Sequence, residues 1–211
     1  MKGESAMDKK AMYQLSYGLF VLTSAFAGRD SGCIINTAIQ VTSEPNRISI
    51  AVNQGNFTKE LVEKSGRFNL SILSEAASFE TFRHFGFQSG RDVDKFAAYS
   101  DCKRSANGLY YITAGTNAYI SAAVEQTLDL GSHMLFIAAV DDMEMLSKDP
   151  SATYAYYQSQ IKPRPVQKAS AGKTAWRCTV CGYIYEGEEL PADFICPLCK
   201  HPASDFEKIT I

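Results

Sequence analysis

The sequence contains no apolar run approaching the roughly 18 residues that a membrane-spanning helix requires, and it has no excess of positive charge. Its 21 Lys and Arg residues are balanced by 23 Asp and Glu residues, which gives a formal net charge of -2. Such a balance creates no field that would attract a phosphate backbone or an anionic lipid surface. We therefore expect neither a nucleic acid nor a membrane as a partner. No glycine-rich dinucleotide fingerprint follows a strand pattern, which argues against a Rossmann domain.

The N-terminal region and the cysteines indicate in which cellular compartment the protein works. Lys9 and Lys10 precede an apolar stretch, residues 17–27, that imitates a secretory signal. Thr23 and Ser24 interrupt this stretch, and residues 19–23 are more typical of a buried strand. Of the six cysteines, four lie in close pairs near the C-terminal end. Secreted proteins use such pairs as disulfides, but this spacing favours metal thiolates in a reducing compartment. We expect a cytoplasmic protein.

Hydrophobic periodicity predicts a mainly β fold. Ile48, Ile50 and Val52 alternate with smaller or polar residues, and a longer alternation runs over residues 120–130. Shorter strands are expected at residues 19–23, 67–73, 109–113 and 133–140. Helical patterns are limited to residues 58–64, with Asn56 or Thr58 as N-cap and Gly66 as stop, and residues 78–85. Many strands with few helices predict an antiparallel barrel with peripheral helices.

The chain divides into three parts by composition. Residues 1–161 form the body. Residues 162–173 contain two prolines, several basic residues and little to bury, which is typical of a linker. Residues 174–211 form a tail too short to fold on its own hydrophobic core, so a bound metal is expected to hold it together.

Four cysteines in the tail have the spacing of a metal site. Cys178, Cys181, Cys196 and Cys199 form the pattern C-x2-C-x14-C-x2-C. Two residues between paired cysteines let both sulfurs reach one ion from a tight turn, and four thiolates make a closed tetrahedral site. Two disulfides are the alternative. The spacing alone does not choose between iron and zinc, because tetrahedral sulfur ligation suits both.

The sequence around these cysteines resembles rubredoxin. The segments CTVCGYIYEG and DFICPLCK carry the resemblance, and Trp176 stands where that family keeps an aromatic residue. Gly182 follows the second cysteine, as the family pattern requires, but Lys200 replaces the glycine expected after the fourth. The short connection between the pairs resembles the compact rubredoxin-type domains fused to other redox proteins. The resemblance implies one iron at the four cysteines, with a zinc ribbon as the alternative.

Four segments of the body carry a family resemblance: residues 36–42, 53–58, 85–91 with 94–96, and 131–137. They resemble the flavin reductase-like, FMN-binding split-barrel family, which includes the flavoredoxins. The structural alternatives for the four segments are, in order, an exposed strand, a helix cap, solvated charge and a structural histidine. The resemblance implies that FMN is bound by Asn36, Thr37, Ala38, Ile39, Gln40, Val41 and Thr42, by Asn53, Asn56 and Thr58, and by Ser89, Gly90, Arg91 and Lys95. It places His133, in a glycine-x-histidine segment, near the flavin or the nicotinamide as a catalytic residue.

Together the two resemblances match the flavoredoxin–rubredoxin fusions, or high-molecular-weight rubredoxins. They imply an NAD(P)H-dependent flavin oxidoreductase in which NADH or NADPH reduces FMN, and FMN reduces the iron. The iron is then expected to reduce a redox protein such as a flavodiiron protein that acts on oxygen or nitric oxide. Family barrels are generally homodimers, so a homodimer is expected. Two alternatives are a flavin and iron carrier without nicotinamide activity, and a flavin reductase with a zinc-ribbon docking module.

Overall fold

The computed structural model describes residues 7–163, 174–180, 182–197 and 201–210. The body is built on one antiparallel sheet of seven strands in the order β2-β1-β5-β8-β9-β4-β3. Its strands are β1 (Phe20–Phe26), β2 (Arg29–Ile35), β3 (Ala38–Ser43), β4 (Asn46–Asn53), β5 (Arg67–Leu73), β8 (Thr116–Asp129) and β9 (His133–Met145). A separate hairpin joins β6 (Cys102–Arg104) to β7 (Tyr110–Ile112).

The helices of the body are short and lie at its periphery. They are α1 (Phe57–Ser65), α2 (Phe79–Gly86) and α3 (Tyr154–Tyr156), which continues as a π-helical turn over Tyr157–Ile161. A 3-10 turn, Lys9–Gln14, precedes the sheet. Within the described residues no helix is long and apolar enough to cross a membrane.

The seven-stranded sheet curls around a single apolar core. Leu22 of β1, Cys33 of β2 and Ile50 of β4 belong to the same buried cluster, although β2 and β4 lie near opposite ends of the strand order. Strands from opposite ends can share a core only if the sheet closes toward itself. The edges β2 and β3 form no ladder with each other, so the barrel is split.

The two longer helices, α1 and α2, begin and end within one residue of the predicted ranges 58–64 and 78–85. Asn56 is the N-cap of α1, and its side chain accepts a hydrogen bond from the Thr58 N–H at 2.9 Å. Gly66 ends the helix in the left-handed conformation with φ 68°. Helix α2 turns Phe82 and Phe85 into a second core cluster that also contains Val21. This cluster fixes the end of α2 against the outside of the barrel.

The tail folds into a three-stranded antiparallel sheet in the order β11-β10-β12. Its strands are β10 (Thr174–Cys178), β11 (Ile184–Glu186) and β12 (Phe206–Thr210), with a 3-10 turn, Ala203–Asp205, before the last strand. Cys178, Cys196 and Phe206 are buried together, and tyrosine, tryptophan and phenylalanine side chains pack against them. An aromatic shell of this size leaves the two thiols without access to water.

The predicted fold is confirmed, and each predicted strand and helix overlaps one in the structure. The periodicity did not predict β2 (Arg29–Ile35) or β6 (Cys102–Arg104), and one burial pattern differs. The alternation along residues 120–130 predicts that Leu128 and Leu130 are buried, whereas they are 57% and 53% exposed. The reason is topological. Strand β5 pairs only with residues 116–123 of β8, so the second half of β8 extends past its neighbour and has an uncovered edge.

Candidate functional site

The cavity of interest lies beside the N-terminus of α1 and the C-terminus of α2, and its volume is about 790 Å³. This volume is within the range of pockets that hold cofactors and drug-sized ligands. Strand β2, the turn before α1, the end of α2 and the loop after it supply most of its wall. The lining residues are Cys33, Ile34, Asn53, Gly55, Asn56, Phe57, Thr58, Phe85, Gly86, Phe87, Gln88, Ser89, Gly90, Asp92, Val93, Lys95, Pro197, His201 and Pro202.

The first turn of α1 gives the cavity a polar wall. Thr58 is buried, and its hydroxyl lies 3.1 Å from the hydroxyl of Ser31 on β2. The side chain of Asn53 accepts a hydrogen bond from the Gly55 N–H at 2.9 Å, which shapes the turn that precedes the helix. The first N–H groups of a helix have no intrahelical acceptor. With the helix dipole they make a favourable place for a phosphate group.

Two guanidinium groups add positive charge on the same side. The carbons of the Arg29 and Arg91 guanidinium groups each lie 5.3 Å from the centre of the Phe57 ring. Arg29 donates to the carbonyl of Gly90 at 2.6 Å, and Arg91 pairs with Glu60 on α1. The hydrogen bond from Arg91 lowers the pKa of Glu60. These contacts hold the loop that contains Gly90 against α1, so the loop and the helix form one continuous wall.

Lys95 and Cys33 form the inner end of the cavity. The Lys95 ammonium is buried and donates to the carbonyls of Gly32 and Phe85, both at 2.8 Å. Burial lowers the pKa of Lys95 to about 8, and the neighbouring Cys33 opposes that shift. Burial also raises the pKa of the Cys33 thiol, against the pull of Lys95. Lys95 therefore links β2 to α2, and Cys33 faces the cavity as a thiol.

The predicted cofactor residues fall into two groups in the structure. Asn53, Asn56, Thr58, Ser89, Gly90 and Lys95 line the cavity, and Arg91 flanks it through Phe57. The segment Asn36–Thr42 does not line it. Most of that segment belongs to the edge strand β3, whose residues 39–43 are exposed, and the Thr37 hydroxyl is bonded to the carbonyl of Ala51 at 2.5 Å. Its contact with a flavin stays a prediction.

His133 begins β9 and lies beside the cavity rather than in its wall. It pairs with Asn53 across the β4–β9 ladder, and Asn53 does line the cavity. The Nδ1 atom of His133 is 2.9 Å from the Ser132 hydroxyl, and the Gln54 N–H donates to the Ser132 carbonyl at 3.0 Å. These contacts fix the turn that carries His133 next to Asn53, a residue of the cavity wall. A catalytic role for His133 stays a prediction.

Sequence reasoning missed the apolar part of the wall and Cys33. Phe57, Phe85, Gly86 and Phe87 carry no chemical group that a motif search would select. Phe85, Gly86 and Phe87 belong to a segment that carries the family resemblance, but none of them is among the residues that the resemblance assigns to the cofactor. Cys33 lies on β2 and matches no motif, so the sequence predicts only a small buried apolar residue there. It is indeed buried, but it also faces the cavity.

The cysteine turns of the tail have the same backbone closure. The Cys178 N–H donates to the Tyr183 carbonyl, and the Cys196 N–H donates to the His201 carbonyl, both at 2.8 Å. Each hydrogen bond joins residues five positions apart, so the two cysteine turns close in the same way. Gly182 has φ 80°, the positive value expected after the second cysteine of a pair. Cys181, Cys199 and Lys200 lie outside the described residues.

The described residues fit the groups that the two resemblances imply. Cys178 and Cys196 are fully buried, come from turns far apart in sequence and meet in one cluster. Buried thiols of this kind in matched turns suit a thiolate-bound metal. In the body, the polar wall at α1 suits a phosphate, and the aromatic and small residues opposite it suit a flat ring. A methyl group on Gly90 would lie 2.3 Å from the Ser31 hydroxyl, so the wall is closely fitted there.

The second cysteine turn also contributes to the cavity. Pro197, which directly follows Cys196, lines it together with His201 and Pro202. Phe87 of the body packs against the aromatic cluster around Cys178 and Cys196. The Lys162 ammonium donates to the Thr179 carbonyl, within the first cysteine turn, at 2.6 Å. The candidate flavin cavity and the candidate metal centre are thus in direct contact.

Comparison with known proteins identifies both parts of the chain. The family described as flavin reductase like domain matches residues 12–164, and the rubrerythrin, rubredoxin-like domain matches residues 176–207. The chain is 35% identical to the high molecular weight rubredoxin of Moorella thermoacetica, over 96% of this chain and 100% of that protein. It is also 35% identical to a ferric-chelate reductase (NAD(P)H) of Archaeoglobus fulgidus, over 78% of this chain and 96% of that protein.

Among solved structures, the flavoredoxin from Methanosarcina acetivorans superposes with a TM-score of 0.59 at 15% identity, covering 67% of this chain and 75% of that one. At this identity the likeness concerns the fold alone. The expected enzyme class, an NAD(P)H-dependent flavin oxidoreductase, is confirmed by the family, and the two domains support a flavin and iron as cofactors. The chain belongs to the flavin reductase-like family and, with its rubredoxin-like domain, to the high molecular weight rubredoxins.

Proposed function

We propose that this protein transfers electrons from NADH or NADPH, through FMN in the cavity of the body, to one iron in the tail and then to a redox partner. The iron ligands in this proposal are Cys178, Cys181, Cys196 and Cys199. A bound flavin supplies the conversion of a two-electron hydride into single electrons, which is what a one-iron centre accepts. The proposed domains are residues 1–161 and 174–211, joined by the linker 162–173.

One observation favours this proposal over the alternative functions. The turn that follows Cys196 lines the same cavity as the α1 N-terminus and the Ser89–Gly90 loop. A cofactor in that cavity therefore lies against the backbone of a cysteine turn. A flavin reductase that used its tail only to bind another protein would gain nothing from this contact.

The chain's own groups favour FMN over FAD. Asn56, Thr58 and the first N–H groups of α1 offer one compact place for a terminal phosphate, and Arg29 and Arg91 lie close by. FAD would also need space for an adenine. The small domain closes part of the cavity through Pro197 and Pro202, which leaves less room for one.

We further propose that the protein is a homodimer. Strand β3 is an edge strand with exposed Ile39 and Val41. The exposed Leu128 lies in the far half of β8, and the exposed Leu130 directly follows that strand. Apolar residues grouped along unpaired edges are typical of an interface. In such a dimer the residues Asn36–Thr42, which do not line the cavity of their own chain, would meet a flavin at the subunit boundary.

The final acceptor in this proposal is a flavodiiron protein that reduces oxygen or nitric oxide, and the compartment is the cytoplasm. Both proposals rest on the resemblance to flavoredoxin–rubredoxin fusions and on the thiolate chemistry of the tail. A centre of four thiolates is maintained where thiols stay reduced. His133 is proposed to act at the mouth of the cavity during hydride transfer, because it is paired with Asn53 there.

A stopped-flow experiment tests the proposed function. The purified protein, with its flavin and metal content measured, is mixed anaerobically with NADH and in parallel with NADPH. We expect the flavin absorption to bleach first and the ferric-thiolate absorption to bleach afterwards, in the same molecules. No bleaching with either nucleotide would instead identify a carrier that other proteins reduce. Zinc in place of iron in protein from iron-replete cells would identify a docking module.

A further inference from the structure

Phe87 is the residue at which the body and the tail share a hydrophobic contact. It follows α2, is only partly exposed, and stacks edge to face on Phe79 with the ring centres 5.8 Å apart. One part of Phe87 lines the cavity. The residue also packs against the cluster of Cys178, Cys196 and Phe206. Among the described residues, Phe87 is the one partly buried hydrophobic residue of the body that packs against that cluster.

A second contact restrains the tail from the other side. Lys162, at the end of the body, donates to the Thr179 carbonyl inside the first cysteine turn at 2.6 Å. The second cysteine turn meanwhile lies over the cavity through Pro197, His201 and Pro202. These two contacts and the shared wall define one orientation of the tail, in which its metal end faces the cavity.

We propose that Phe87 is a positioning residue, the docking point that holds the rubredoxin-like domain across the mouth of the cavity. The body's docking surface consists of Phe87 and the loop residues 88–93, and its partner is the cysteine-bearing end of the same chain. The proposal deepens the proposed function and rests on it for the kinetic measurement only. In this proposal docking is reversible, and the undocked tail is free to meet another protein.

The single tryptophan of the chain provides a direct measurement of docking. Trp176 lies in the tail, beside the cluster that Phe87 contacts. In full-length protein loaded with flavin and with zinc in place of iron, energy transfer to the flavin shortens the Trp176 emission lifetime when the tail is docked. Short and long lifetime components then report the docked and undocked populations.

The decisive variant is Phe87→Ala in the full-length chain. We expect its docked-to-undocked ratio to fall at least about tenfold, equivalent to about 1.4 kcal/mol of lost contact. Phe87→Leu, which keeps an apolar side chain, should restore most of the docked population. Phe26→Ala is the matched control, because it removes an exposed ring from the β1–β2 hairpin, outside the cavity and the aromatic cluster. Lys162→Ala should shift the ratio in the same direction by a smaller factor.

The kinetic arm uses the iron form of the same variants. The flavin is reduced by a light flash with EDTA as electron donor, and the subsequent bleaching of the ferric-thiolate band is followed. We expect its rate to fall in proportion to the docked population. Unchanged lifetime components in Phe87→Ala would overturn the docking proposal. Iron that is never reduced in the unmodified protein would overturn the proposed function instead, while the lifetimes would still decide whether Phe87 docks the tail.

Discussion

Replacing Gly90 by Ala adds one methyl group to the wall of the cavity. The new Cβ would lie 2.3 Å from the Ser31 hydroxyl and 3.0 Å from Cδ1 of Phe57. Real Cβ atoms do not approach an oxygen this closely, so one of the two walls has to move. Ser31 is buried in β2, and its hydroxyl interacts with that of Thr58 at the α1 N-terminus.

Two responses are open to the variant, and both have a cost. If Ser31 rotates, it gives up the contact with Thr58, a loss of about 0.5–1.5 kcal/mol. If the loop moves outward, it breaks the 2.6 Å hydrogen bond from Arg29 to the Gly90 carbonyl and separates the loop from Phe57. Overpacking of this kind typically costs about 1–3 kcal/mol. The two responses together span about 0.5–3 kcal/mol, and because 1.4 kcal/mol is a factor of ten, we expect flavin affinity to fall roughly 2–150-fold.

The assay is a fluorescence titration of flavin into flavin-free protein, together with thermal unfolding. Gly86→Ala is the control, because Gly86 also lines the cavity but its added Cβ would only meet Ile34 at an ordinary 3.4 Å. Adding Ser31→Ala to Gly90→Ala should restore part of the affinity by removing the clashing oxygen. Flavin affinity in Gly90→Ala within twofold of the unmodified protein would refute the reasoning that this wall contacts the cofactor.

Three further predictions concern other parts of the site. Cys196→Ser should abolish the ferric-thiolate absorption and leave the flavin spectrum intact; retention of the iron bands would contradict the ligand assignment. His133→Asn should slow flavin reduction by NADH without changing the unfolding midpoint, and a large loss of stability with unchanged kinetics would indicate a structural histidine. For Lys95 the folded pKa is about 8, below the ordinary value of 10.5. Between these two pH values Lys95 is therefore more protonated in the unfolded chain than in the folded protein. The free energy of unfolding should therefore rise from pH 8 to about 10.5 relative to Lys95→Met, by up to roughly 3 kcal/mol; parallel pH profiles of the two proteins would contradict this.

Much of the fold follows from sequence because burial repeats with the period of each element. Residues 67–73 alternate and form β5, and the Asn56 and Gly66 signals bound α1 as expected. The pattern fails where burial depends on a neighbour in space. Leu128 and Leu130 continue the alternation of apolar residues along β8. They lie beyond the end of β5, however, so they remain exposed. Periodicity describes one strand and contains no information about how far its neighbour reaches.

The polar residues of the candidate site can be predicted from the sequence, whereas its apolar residues cannot. Asn56 and Thr58 were identifiable because capping residues at a helix start have a recognised chemistry. Phe87 has no such signature. Its importance comes from a contact with residues about a hundred positions away in the tail, which only the tertiary structure can reveal. The same holds for the contacts of Lys95, whose buried ammonium joins two backbone carbonyls in the wall of the cavity.

The edge strand β3 yields a last prediction, on the oligomeric state. Ile39 is 67% exposed on β3, whose outer side pairs with no other described strand, and Val41 lies on the same strand. Covering an exposed isoleucine contributes about 1.5–3 kcal/mol, and a two-fold symmetric dimer covers it twice. Placing a carboxylate there removes this contribution and adds the cost of taking a charge out of water. We therefore expect Ile39→Glu to be monomeric at concentrations where the unmodified protein is a dimer.

Light scattering on a size-exclusion column, run over a series of protein concentrations, measures this directly. Phe26→Glu is the control, since it introduces the same charge at an exposed residue of β1, near the opposite edge of the sheet. If the flavin lies at the subunit boundary, as the family resemblance implies, Ile39→Glu should also bind flavin more weakly, and the loss should track the monomer fraction. A dimer that persists in Ile39→Glu would exclude β3 from the interface, and with it the proposed route by which residues 36–42 reach a flavin.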